Sequence, residues 1–152
     1  MIFLLPDAAL SLAEEQRRKI ACILVLVAAA DGALVREEIS AIESAMGAMM
    51  LHPESREEVR QLLTQPPELD SVIDGMDPTA IRIALRDSAL LASVDGDYDD
   101  SELWALRRIC EAGGLSENEL AQILDWVSDS WKLSVKGRSI IAMTMPGDDK
   151  IL

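Results

Sequence analysis

Ala28-Ala29-Ala30-Asp31-Gly32, with Glu38 seven residues after the aspartate, recurs as Ala92-Ser93-Val94-Asp95-Gly96 with Glu102 at the same distance. The two stretches lie 64 residues apart, and the agreement spreads outward from them. Arg18 falls on Arg82, Leu26 on Leu90, Ala41 on Ala105, Ala48 on Ala112 and Leu51 on Leu115. Apolar positions keep their character as well, with Ile39 on Leu103, Ile42 on Leu106, Val59 on Ile123 and Leu63 on Val127. The alignment needs no gap, and its nine identities exceed the roughly three expected from average composition. The spacing therefore predicts one domain over 1–152, made of an internal repeat covering 18–64 and 82–128. A linker at about 65–77 and a C-terminal tail over 132–152 complete it. Each copy alone would leave a helix face unburied, so two pseudo-symmetric three-helix units are expected to pack on each other.

Helix signals fill both copies. Ser11 with Glu14 reads as a capping box before a long apolar helix ending at Asp31-Gly32, where glycine supplies a residue at positive φ. A second helix is expected from about Arg36 to Met50 and a third from Pro53 to near Leu63. Gln65-Pro66-Pro67-Glu68 breaks the chain, and a short helical turn is placed before Gly75. Asp77-Pro78 restarts it, Asp99 and Glu102 form the next capping pair, and Ser116 with Glu119 opens a further helix. Val135 to Met145 reads either as a short helix or as an extended arm, and Pro146-Gly147-Asp148-Asp149 as a frayed end.

Composition supports an all-α fold. Of the 152 residues, 49% are hydrophobic but only 3% aromatic, a core palette that suits close-packed helices better than sheets. Fourteen Lys and Arg stand against 27 Asp and Glu, for a net charge of −13. That sign opposes nucleic acid and anionic lipid and suits cations or basic partners. The apolar run from Ile20 to Ala30 is too short to span a bilayer, so direct membrane insertion is not expected. The opening Met1-Ile2-Phe3-Leu4-Leu5 lacks a basic segment, and the cytoplasm is the expected location. Cys22 and Cys110 read as buried, reduced thiols. The lone histidine, His52, precedes Pro53 and reads as a capping or surface residue. No triad, zinc or phosphate-loop pattern is present, and an enzyme is not expected.

The repeated Ala-x-x-Asp-Gly motif with its following Glu resembles the TerB-like tellurite-resistance family, which includes the N-terminal domain of a membrane-anchored co-chaperone. The matching residues are Asp31, Gly32 and Glu38 in the first copy and Asp95, Gly96 and Glu102 in the second, and Gly113-Gly114-Leu115-Ser116 also fits the family's pattern. The resemblance covers about 18–131. It implies a compact bundle of about seven helices, no established catalysis, divalent-metal binding through the acidic turns, and a stress-response setting at the inner face of a membrane.

Read from the residues alone, the second loop is the richer one. Asp95, Asp97, Asp99, Asp100 and Glu102 crowd five carboxylates into eight residues, a donor set suited to Ca²⁺ or Mg²⁺. It is not an EF-hand, because Asp100 stands where that loop needs glycine and Leu106 where it needs the bidentate Glu. The first loop, with Asp31 and Glu38, is poorer in acid and carries Arg36. The candidate metal set is therefore Asp95, Asp97, Asp99, Glu102, Asp31 and Glu38. The same residues also read structurally: Asp31 and Asp95 on turn amides, Glu38 and Glu102 as capping-box acceptors. Two functions follow. One is an acidic module binding Ca²⁺ or Mg²⁺ through the second loop. The other is a metal-independent protein–protein adaptor in which the Asp-Gly loops are structural and Trp104 and the tail make contacts. A protein partner of unspecified identity is expected, and a homodimer is compatible with either.

Overall fold

The computed structural model describes residues 8–32, 34–93 and 97–151. Seven α-helices account for the fold, with no strand among the described residues: α1 (Glu14–Ala28), α2 (Arg36–Ala48), α3 (Pro53–Gln61), α4 (Leu69–Ile73), α5 (Pro78–Ala92), α6 (Asp100–Ala112) and α7 (Glu117–Ile140). The starts recur with the sequence spacing: Glu14 and Pro78, Arg36 and Asp100, Pro53 and Glu117 each stand 64 residues apart.

The two longest apolar runs decide the packing. In α1, Ile20 to Val25, Val27 and Ala28 are buried, and in α5 the same holds for nearly every residue from Ala80 to Ala92. A helix that is apolar all round belongs in the middle of a bundle. These two pack on each other more extensively than any other pair. Helices α2, α3 and α4 lie against α1, while α6 and α7 lie against α5 and against each other. Ile23, Leu24, Leu85, Leu106 and Ile109 are among the fully buried aliphatics, each stabilising the fold by about 1.5–3 kcal/mol. Cys22 and Cys110 are both buried, unpaired thiols. Burial pushes each thiol's pKa upward, so neither is an activated nucleophile.

Polar side chains fix the corners. Arg17 donates from Nη1 to the Met49 carbonyl at 2.7 Å, and Glu14 Oε1 accepts from the His52 amide at 2.8 Å, which ties α1 to the α2–α3 corner. Arg82 donates to the Gly113 carbonyl at 2.8 Å and does the same for the α6–α7 corner. Glu14 therefore serves a tertiary contact, and the expected Ser11–Glu14 capping box is absent. Ser11 instead donates to the Ala8 carbonyl at 2.9 Å, and Ala13 is the N-cap. Helix α1 also stops earlier than Asp31, at Ala28, with Gly32 four residues beyond it at φ 87°.

Three helices end in the same way. After α2, the Met50 amide donates to Gly47 and the Leu51 amide to Met46, with Met50 at φ 54°. After α6, Gly114 and Leu115 donate to Glu111 and Cys110, with Gly114 at φ 72°. After α7, Ala142 and Met143 donate to Ser139 and Arg138, with Ala142 at φ 55°. Each is a Schellman motif, which satisfies carbonyls the last turn would leave open. Met46 and Met49 are buried, whereas Met50 is exposed.

The tail differs most from expectation. Helix α7 runs unbroken through Gly137 to Ile140, and the chain then folds back. Arg138 holds the Asp148 carboxylate with two nitrogens, and Asp148 Oδ2 accepts the Met145 amide at 2.9 Å. Asp148 is only 7% exposed, so this end is clamped rather than frayed. No described helix is long and apolar enough to cross a membrane.

Candidate interaction surface

The start of α6 is built by reciprocal capping. Asp99 Oδ1 accepts the Glu102 amide at 2.7 Å, and Glu102 Oε2 accepts the Asp99 amide at 2.9 Å. The box satisfies two amides that a helix start otherwise leaves open. Just before it, the Tyr98 hydroxyl donates to the Ala89 carbonyl at 2.8 Å, pinning the loop to α5. Burial of that phenol pushes its pKa up to about 12, so it stays a neutral donor. The first loop carries half of the same device. Glu38 Oε2 accepts the Val35 amide at 3.1 Å, but the N-cap is Val35, whose side chain has nothing to return.

The candidate metal residues divide accordingly. Glu38 and Glu102 are buried under their own helix starts, and Asp99 holds Glu102. Asp97 and Asp31 are exposed. Asp95 lies outside the described residues. Among the described residues no three His, Cys, Asp or Glu side chains converge as a metal ion would require.

What the geometry does bring together is a cleft of about 490 Å³ between the two repeated motifs. Leu26 comes from α1 and Ala30 from the turn after it, Pro67 and Leu69 from the linker and α4, and Asp100 and Trp104 from α6. Trp104 is 64% exposed, and its other side borders a second cleft of about 320 Å³ with Arg107, Leu115 and Leu120. The indole is thus a ridge between two hollows. The Arg108–Asp70 ion pair, at 2.8 Å, fixes α6 against α4 beside it.

The other tryptophans behave differently. Trp126 is partly exposed, whereas Trp131 is half-buried and donates Nε1–H to Ser93 Oγ at 2.6 Å. Sequence spacing separates Trp104 from its helix's apolar stripe, which marks it as a surface residue. Pro67 and Leu69 carry no such mark, because only the return of the linker across α1 and α6 makes them cleft walls.

Comparison with protein-family models, with curated proteins and with solved structures gives no match to this chain.

Proposed function

We propose that the chain is a non-enzymatic interaction module, a duplicated TerB-like three-helix unit that docks a protein partner on the Trp104 ridge. The observation that carries this is the 64% exposure of Trp104 between two clefts. A large aromatic side chain left in water beside apolar walls marks an interface, because tryptophan is enriched among residues that dominate binding energy. The duplication is supported by three helix starts repeating at 64 residues and by twin Schellman ends at Met50 and Gly114. The buried Glu38 and Glu102, each capping its own helix, support it further. Asp100 in the first cleft and Glu111 and Glu117 in the second outnumber Arg107 and Arg108, so the partner segment is cationic and apolar. A stress-response role belongs to the same proposal and rests on the family resemblance alone, while its cytoplasmic setting rests on the two thiols outside any disulfide.

Calorimetric titration with a leucine–lysine amphipathic helical peptide tests the docking surface. Saturable binding by the wild type, kept in Trp126→Ala and lost in Trp104→Ala, is the expected result. Equal binding by both variants would mean that charge alone attracts the peptide.

Calcium or magnesium binding by the second loop is a second reading, favoured by the exposed carboxylates of Asp97, Asp99 and Asp100 at one helix start. Glu102 and one Asp99 oxygen already serve the cap, so such a site would draw on Asp95 and the remaining oxygens. Saturable heat with either ion, lost in Asp97→Asn, would establish it.

A further inference from the structure

Charge is unevenly shared along this chain. Four basic and two acidic residues lie in 132–152, against ten basic and twenty-five acidic residues before them. The tail is therefore locally positive on a strongly negative body. Among the described residues it is also the segment richest in exposed large apolar side chains. Leu133 is 69% exposed, Ile140 75% and Ile141 66%, and Met143 and Met145 follow them into solvent. On α7, Leu133, Lys136 and Ile140 follow one another at intervals of three and four, so they share one face. Val135, on the opposite side, is buried, and the Arg138–Asp148 clamp holds the tail in place. Lys136 and Lys150 make no ion pair among the described residues.

A cationic apolar helix face is the chemistry that the acidic apolar cleft at Trp104 calls for. We propose that this chain associates head to tail, the Leu133–Lys136–Ile140 face of one copy seating on the Trp104 ridge of the next. Lys136 meets the carboxylate of Asp100, while Leu133 and Ile140 enter the hollow lined by Leu26, Leu69 and Trp104. The clamp at Arg138 keeps the tail on its own helix, so the face is presented outward to another copy. Such a contact is heterologous: a row of any length leaves one tail and one cleft open at its ends, and the row grows unless it closes into a ring. This inference rests on the reading of the Trp104 surface as a docking site.

Sedimentation of the full chain over a range of concentrations tests it. The wild type is expected to form a concentration-dependent series of species that shrinks as salt rises, because the pairing is partly ionic. Trp104→Ala and Lys136→Glu should each weaken association by roughly tenfold or more while leaving the circular-dichroism spectrum unchanged. Mixed in equal amounts, the two variants should form a one-to-one pair, since one brings an intact tail and the other an intact cleft. A discrete dimer untouched by either substitution, or a mixture that fails to pair, would overturn the proposal. So would a wild type that stays monomeric at every concentration. If the leucine–lysine peptide still binds that monomer through Trp104, the docking surface stands and only its occupant is wrong. If the peptide fails as well, both fall. Tail-dependent binding of the monomer to anionic lipid vesicles, lost in Lys136→Glu, would assign the face to a membrane instead.

Discussion

At the scale of single residues, two non-glycine positions hold the left-handed conformation that the Schellman ends demand. Met50 at φ 54° and Ala142 at φ 55° occupy the place that Gly114 fills at the end of α6. A side chain there costs about 1–2 kcal/mol, and the glycine alternative gives back about 0.5–1 kcal/mol as unfolded-state entropy. Met50→Gly is therefore expected to stabilise the protein by about 0.5–1 kcal/mol in denaturant unfolding, since its exposed side chain gives up little packing. Asp148 supplies the second residue-scale prediction. The Arg138 guanidinium holding its carboxylate lowers its pKa, so the clamp is complete above the usual carboxylate range. It is lost as pH falls through the depressed folded value. The Met145 amide, which Asp148 accepts, should report this in an NMR titration, and Asp148→Ala should remove its exchange protection at every pH.

At the scale of elements, the caps explain both what the sequence discloses and what it conceals. The starts of α6 and α7 are legible because Asp99–Glu102 and Ser116–Glu119 are reciprocal contacts between residues three apart, closed before any tertiary packing. Asp77-Pro78 is legible for the same local reason. Ser11 and Glu14 have the same spacing, but the His52 amide outcompetes the local partner, and no pattern within the segment announces that. The end of α7 is hidden because Ala142, not glycine, takes the left-handed position, while Gly137 sits harmlessly inside the helix. The Trp104 cleft is half legible: the indole stands off its stripe, but the linker walls do not announce themselves. Asp99→Ala should lower stability by about 0.5–2 kcal/mol through loss of the cap. The loss should be the same with chelator or with excess calcium, as measured by thermal melts. A loss seen only with calcium would move Asp99 from cap to ligand.

At the scale of the whole molecule, the central helices α1 and α5 are committed to burial, and the surface features that set the two halves apart lie outside them. The first copy has Ile39 where the second has Leu103, and Ser40 where the second has Trp104. It has a nine-residue α3 where the second has the long α7 with its exposed apolar end. Under the duplication proposed above, the shared pattern accounts for the scaffold and the departures from it for the surfaces, with the aromatic ridge in the second copy and the cationic tail just after it.

The most direct single test is a fluorine NMR spectrum of the full chain labelled with fluorotryptophan, which gives one signal for each of Trp104, Trp126 and Trp131. Addition of the leucine–lysine peptide to chelator-treated protein should move the Trp104 signal saturably and leave the Trp131 signal, half-buried against Ser93, where it is. A Trp104 signal that stays fixed with the peptide would contradict the docking role given to this surface. Movement on adding calcium alone would return the second loop to the centre of the function.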